Sequence, residues 1–524
     1  MSESDPRRRR EAVHLWSPMP RCATARVSAT PAVATSVATS IPTSMAMLFA
    51  LLLGSGCGTE PDEREHPVAS TLPSSEPRER FAAAGPVPAY EQRKGDAARG
   101  FEALLGEPYV SCGLPRRVWD ALGGADSGPA LPGRIGPGAQ LPYFNNLVTG
   151  PNGVEQVAGN CLSCHAQSLF GEVVVGLGNA FTDWTGDASV AVERAGALVR
   201  GEAETQAWER YADRIAVIAP HIRMRTIGSN PANNLTFALI AHRDAETNAW
   251  SETPLLPLPT TEPPPVSVPP WWRMKKKHAM FNLGEGRGDH ARIMMAASVL
   301  CGDEIAELEA IDAYAPDIRA YIESIEPPAW PFDIDRAKAA RGQARFEAVC
   351  SACHGRYDER DAGSYPNLLV PIETVGTDPS LMQQALDDGV PYIDWFNDSY
   401  YGELSFAQPG PGYVAPPLDG VWATAPFLHN GSVPDLWRVL DSTQRPDRWL
   451  MLAEDGDDID AFDRERVGWH HRGLEPGGSE TLDAATMLRV FDTSLPGHDN
   501  GGHTFGDHFT DRERGEVIEY LKTL

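Results

Sequence analysis

Two pentapeptides, Cys161-Leu162-Ser163-Cys164-His165 and Cys350-Ser351-Ala352-Cys353-His354, constrain this 524-residue chain more than any other feature. Two thiols separated by two residues and followed at once by a histidine form the pattern that fastens haem. Each Cys adds to one vinyl group as a thioether, and the adjacent His reaches the iron. A tetrahedral zinc ion needs four ligands, and each run offers three, too close together for all of them to bind one ion. A thioredoxin-type C-x-x-C needs neither the following His nor a second copy. The sequence therefore predicts two covalently bound c-type haems. One sits on Cys161, Cys164 and His165, the other on Cys350, Cys353 and His354, with His165 and His354 as iron ligands.

The other four cysteines bear on the compartment. Cys22 lies in the N-terminal leader, and Cys57 follows Gly54-Ser55-Gly56 at the end of the apolar run Met45 to Leu53. That run is too short to span a bilayer, and small residues before a Cys resemble a bacterial lipobox. Residues 1–57 are predicted to be a signal peptide with a lipid anchor at Cys57; the alternative is a short apolar helix in a disordered leader. Residues 58–90, rich in Pro, Glu and Ser, are predicted to be a disordered linker. Cys112 and Cys301 remain as a disulfide of an oxidising compartment or as two buried thiols. The implied location is periplasmic, anchored at the outer membrane as a lipoprotein, or secreted.

The length suggests two domains plus extensions, predicted as an N-terminal haem domain at 91–332 and a C-terminal cytochrome c-like domain at 333–524. The boundary is the breaker Pro327-Pro328-Ala329-Trp330-Pro331-Phe332-Asp333. The expected fold class is mainly α, with long loops. Helices are predicted at Asp96 to Leu105, Ala188 to Ala212, Ala291 to Leu300, Pro316 to Ile325 and Asp335 to Val349, and Glu172 to Leu177 is β-rich. The helix from Asp335 carries Ala339, Gly342, Phe346 and Val349 on one face and runs into the second haem motif. Thr510-Asp511-Arg512-Glu513 reads as a capping box, followed by the stripe Val517, Ile518, Leu521 and Leu524. Ser251 to Pro270 holds eight prolines, a semi-rigid strap that excludes helix and central strand.

The group on the far side of each iron decides function, since a second strong ligand makes an electron carrier and an open face a reactive site. For the second haem the candidates are His503, in a glycine-rich loop before the terminal helix, and His429; each could instead be a hydrogen-bonded core histidine. For the first, Trp272 is a candidate catalytic residue, as pocket wall or electron relay, against an ordinary core aromatic. His290 is a candidate distal base for peroxide, against a helix cap. Lys275, Lys276 and Lys277 are candidates to hold haem propionates, against a solvated basic patch. Asp455, Asp457, Asp458 and Asp460 form an acidic loop, a calcium site or simply a solvated turn. The net charge is −27, and without the Arg-rich leader about −30. That argues against a nucleic-acid partner and suits a small basic electron donor such as a cytochrome or a cupredoxin; the alternative is that it serves only solubility.

The run Pro416-Pro417-Leu418-Asp419-Gly420-Val421-Trp422-Ala423-Thr424-Ala425-Pro426-Phe427-Leu428-His429-Asn430-Gly431-Ser432-Val433-Pro434 resembles the signature of the bacterial di-haem cytochrome c peroxidase superfamily. Gly502-His503-Thr504-Phe505-Gly506, Glu519-Tyr520-Leu521-Lys522, Lys275 to Phe281 and Gly286 to His290 are similar to its branch of secreted di-haem oxygenases that cleave rubber. The resemblance implies a reactive haem on His165 and an electron-passing haem with two axial ligands on His354. Typical peroxidases carry a Met ligand some fourteen residues past the signature His. This chain has Thr443 there, which points to a His ligand, with His503 fitting by position. Trp272 sits where that branch places a distal aromatic. The expected activity is peroxide reduction or a related oxidation. Oxygen cleavage of an apolar substrate, plain electron transfer and maturation of a partner's side chains are the alternatives.

Overall fold

The computed structural model describes residues 79–357, 364–475 and 482–524. The predicted leader and lipid anchor at 1–57 lie outside these residues, as does most of the predicted linker. Among the described residues no helix is long and apolar enough to cross a membrane.

Two helices frame the second motif. Asp335 caps Arg336–Val349 by accepting from Lys338 N at 2.9 Å. The terminal helix Asp511–Leu521 begins with the capping box of Thr510 and Glu513, each satisfying a donor that the helix start leaves open. They cross where Gly342 has no side chain: a Cβ there would lie 1.8 Å from the Glu516 carbonyl oxygen. Around this contact Ala339 and Phe346 face Val517, Ile518 and Leu521, all buried. Full burial of a side chain such as Phe346 stabilises by roughly 1.5–3 kcal/mol. The first helix then passes through Cys350 into the short helix Ser351–His354, so this packing aims the motif.

The first motif is set differently, between sheets. Strand Glu155–Gly159 is the middle of a three-stranded antiparallel sheet, between Leu114–Pro115 and Asn145–Thr149. The single turn Leu162–His165 follows, then the hairpin of Ala166–Leu169 and Glu172–Val175. Its two turn residues, Phe170 and Gly171, both have positive φ, which matches the right-handed twist of the paired strands. Helix Ala97–Gly106, capped by Asp96, packs with helix Ala315–Ser324 on the far side of this region.

A cytochrome c-like domain is present, but the expectation of a mainly α chain is corrected: helix takes 38% and strand 14%. The strands escape a periodicity reading because they are two to five residues long and sit in two- and three-stranded sheets. Two predicted helices are interrupted. Ala188 to Ala212 becomes Ala188–Gly196 and Gly201–Ile218, broken where Gly201 takes φ +72°. Ala291 to Leu300 becomes His290–Met294 and a 3-10 turn Met295–Leu300, where the Ser298 hydroxyl donates back to the Met295 carbonyl at 2.7 Å. The last residues of the predicted disordered linker are packed. Gly85–Pro86 pairs with strand Leu368–Pro371, Val87 is buried, and Arg80 grips Asp394 at 2.7 Å.

The two largest hydrophobic cores do not follow chain order across residue 333. One surrounds Leu162 and Ala166 and recruits Tyr392, Trp395, Phe396 and Tyr401 from later in the chain. The other surrounds Phe346 and the terminal helix and takes in Leu169, Leu177 and Trp272. Cys112 and Cys301 form a disulfide with Cα atoms 5.6 Å apart, closing a sequence separation of 189 residues. Cross-linking so long a loop removes unfolded-state entropy worth about 5 kcal/mol. We expect C112S/C301S to lower the melting temperature by several degrees. Equal melting of the wild type with and without reductant would refute this.

Candidate functional site

None of the four motif cysteines is in a disulfide. Burial pushes the thiols of Cys161 and Cys350 up, to about 11 and about 12. Each histidine follows its second Cys at the end of a one-turn helix, with a proline carbonyl behind it. His354 Nδ1 meets the Pro416 carbonyl at 2.8 Å. His165 Nδ1 is buried beside the carbonyl of Pro269, the end of the proline strap. At His354 the carbonyl at Nδ1 fixes the tautomer and leaves the Nε2 lone pair for a metal, whereas His165 Nδ1 has no hydrogen-bond partner. Burial also pushes both imidazoles down, His165 to about 4, which favours the neutral, ligating form.

The His503 ring stands 6.2 Å from the His354 ring, centroid to centroid. Two imidazoles gripping one iron from opposite sides, with bonds of about 2 Å to each nitrogen, would stand about 6 Å apart. The match is an observed fit of the donor set to a six-coordinate haem. His503 is half-buried, its Nδ1 is buried with no hydrogen-bond partner, and desolvation pushes it down to about 4. The loop that carries it is rigid. His503 has φ +46° and its N–H donates to the Val375 carbonyl at 2.6 Å. Gly502 lies so close to Gly376 that a Cβ would come within 2.1 Å of that backbone. The guanidinium of Arg445 donates to the carbonyls of Asn500 at 2.6 Å and Gly502 at 2.7 Å, and reaches those of Val439 and His503 at 3.3 Å. The other candidate, His429, stacks on Tyr413 at 4.0 Å instead. Thr443 turns its hydroxyl to Asp441 Oδ1 at 2.6 Å, capping its own turn.

The proline strap delivers the 3-10 turn Trp271–Lys276 into the space between the motifs. Sequence reasoning chose Trp272, and the ring that touches the first motif is its neighbour. Trp271 stacks on His165 at 4.9 Å with 22° between planes. Trp272 points the other way, fully buried, its indole N–H donating to the Asp419 carbonyl at 2.8 Å. A Cβ on Gly420 would touch that indole at 3.0 Å. Consecutive residues of a tight turn diverge, so the doublet itself was the available signal. The three lysines are engaged separately: Lys275 with Glu326 at 2.6 Å, Lys276 with Asp419 Oδ1 at 2.7 Å, and Lys277 with the Phe281 carbonyl at 3.1 Å.

His290 is buried at the start of helix His290–Met294, but the cap is Asp289, which accepts from Arg292 N at 2.8 Å. The His290 ring lies 3.4 Å from the His278 carbonyl and near Lys277 and Arg319; its Nδ1 has no partner and burial pushes it down to about 4. In the acidic loop, Asp455 and Asp458 cap turns of their own backbone, and Asp457 accepts from Ser168. Among the described residues no group of three or more His, Cys, Asp or Glu is placed to hold a metal ion.

A family model described as RoxA-like, cytochrome c-like matches residues 412–450, the segment that carries Pro416, Asp419 and His429. Two curated relatives from Sinorhizobium fredii are both called uncharacterized. The protein y4iM is 30% identical over 237 residues, covering 39% of this chain and 52% of its own length. The protein y4iJ is 28% identical over 318 residues, covering 46% and 50%. The chain thus spans about half the length of the curated relatives it matches. A cytochrome c-like domain of this kind suggests covalently bound c-type haem and a haem-containing oxidoreductase or oxygenase-type protein.

We expect H503A to keep every haem by intact mass while one low-spin, six-coordinate spin-resonance signal converts to high spin, and H429A to leave it unchanged. The reverse pattern would make His429 the ligand.

Proposed function

We propose that the chain is an exported di-haem c-type cytochrome acting as an oxidoreductase. Peroxide reduction or a related oxidation takes place at the His165 centre, and the His354 centre relays electrons. The observation that carries this reading is the facing pair His354 and His503, 6.2 Å apart, against the stacking of Trp271 on His165. The histidine of the first motif has an indole stacked beside it, and that of the second has another imidazole 6.2 Å away. Bound haem would supply an iron that changes valence and, where its far face is open, takes an oxygen ligand.

The chain's own residues then divide the work. Pro416 holds the His354 imidazole in the tautomer that presents Nε2, and Pro269 backs the His165 imidazole. Trp271 and Trp272 form a contiguous path from His165 to the Asp419 carbonyl, three residues from Pro416, and so act as relay between the centres. For peroxide chemistry His290 is the proposed proton acceptor, a buried neutral imidazole with Nδ1 free. The Cys112–Cys301 bridge supports the proposed export to an oxidising compartment, and the net charge of −27 supports a small basic electron donor met by electrostatic steering.

An oxygenase acting on an apolar organic substrate is the second reading. The RoxA-like match at 412–450 and the occupation of Thr443 by its own turn both favour it over a standard peroxidase. Spectra of the haem-loaded protein before and after peroxide separate the two. A high-spin centre that reacts with peroxide and turns over a reduced donor supports the first reading. A stable oxygen adduct indifferent to peroxide supports the second. Low-spin spectra from both centres in every redox state would leave only electron transfer and refute both. W272F is expected to slow re-reduction of the first centre at least tenfold in stopped-flow while leaving the spectra of both resting haems unchanged; an equal rate would remove Trp272 from the path.

A further inference from the structure

Arg273 is a buried cation that makes no side-chain ion pair among the described residues. Its side chain follows Trp272 in the turn Trp271–Lys276, and the residue is 7% exposed. Nε donates to the Asp419 backbone carbonyl at 3.1 Å, a neutral acceptor. One outer nitrogen, Nη2, is buried with no hydrogen-bond partner. The Asp419 carboxylate acts on it from beyond ion-pair distance: Oδ1 pairs with Lys276 at 2.7 Å, and Oδ2 is buried without a hydrogen-bond partner. The two phenols close by are also occupied. Tyr357 donates to the His354 carbonyl at 3.0 Å and Tyr365 to the Ala415 carbonyl at 2.5 Å.

Burial pushes the guanidinium down to about 10, so it keeps its proton at neutral pH. The Asp419 carbonyl that Nε meets lies three residues after Pro416, whose carbonyl backs His354 Nδ1 at 2.8 Å, which places the guanidinium beside the second motif. An isolated buried cation costs several kcal/mol and persists only where an anion joins it. A guanidinium fork with a free outer nitrogen is shaped for a carboxylate.

We propose that Arg273 binds a propionate carboxylate of the haem held on Cys350, Cys353 and His354, and so raises that haem's reduction potential. The lysines singled out by sequence are committed elsewhere, and this arginine comes from the segment predicted as the N-terminal haem domain. One turn therefore touches both centres: Trp271 lies on His165, and Arg273 serves the haem of His354. The inference rests on the reading of the second motif as a haem site.

Purified, haem-loaded wild type, R273Q and R273K test it. Mass of the peptide that contains Cys350 and Cys353 first establishes whether haem is attached there; its absence in the wild type would sink the haem reading itself. With haem present, we expect R273Q to keep the low-spin signal but to lower the reduced-to-oxidised ratio of that centre about tenfold at a fixed ambient potential. That ratio corresponds to about 59 mV for one electron. R273K, which keeps the charge and loses the fork, should move the potential less than twofold in ratio and still shift the propionate-bending band in resonance Raman. An unchanged potential in R273Q overturns the proposal. Should R273Q fail to mature, R273K decides: a shifted propionate band supports the contact, and an unshifted one overturns it.

Discussion

The carbonyl of Asp419 holds the two halves of the proposed site in register. It accepts from Trp272 Nε1 at 2.8 Å and from Arg273 Nε at 3.1 Å, while the same residue's carboxylate pairs with Lys276 at 2.7 Å. Three donors from one six-residue turn thus converge on one residue of the loop that begins at Pro416. Each buried donor left without a partner would cost about 1–3 kcal/mol, so the turn has no cheap alternative position. The consequence reaches both motifs. Trp271 cannot shift on His165 unless the turn shifts, and Pro416, three residues before Asp419, cannot shift behind His354 unless the loop does.

The proline strap makes sense in this light. Eight prolines between Ser251 and Pro270 forbid regular structure and leave a stiff extended segment that crosses from the first core toward the second. Its last residues carry the carbonyl of Pro269 to His165 and start the turn that Asp419 fixes. Stiffness lowers the entropy lost when the strap is immobilised, so the placement of Trp271 and Trp272 costs less than it would on a flexible loop. The divergence of the doublet, one indole into each core, follows from the tight turn rather than from either side chain.

Much of this was legible in the sequence, and the omissions have physical causes. The two motifs, the capped helices Arg336–Val349 and Asp511–Leu521, and the choice of His503 as partner of His354 all rest on local patterns: spacing, caps, and a glycine-rich loop before a helix. Trp271 was passed over for Trp272 because adjacent residues are indistinguishable until the turn geometry is known. Arg273 was passed over for the three lysines because local charge density says nothing about which cation loses its partner on burial. The short strands and the sharing of Tyr392, Trp395 and Phe396 with the earlier core depend on contacts between segments distant in the chain. No window of neighbouring residues contains such contacts.

The rigidity around His503 argues for a fixed rather than an exchangeable partner to His354. To withdraw the imidazole, the loop would have to surrender the His503 N–H bond to Val375 and the Arg445 contacts to Asn500, Gly502 and His503. It would also have to part the glycine-to-glycine packing at Gly376 and Gly502, where no side chain fills the gap that would open. At a net 0.5–1.5 kcal/mol for each hydrogen bond, the bonds alone amount to roughly 2–6 kcal/mol. A ligand so held suits an iron that changes charge without changing neighbours, which is the property an electron relay needs. Under the proposed function, binding of the oxidant then falls to the His165 centre. There the chain supplies a stacked indole, a buried proline carbonyl and no comparable clamp on a second imidazole among the described residues.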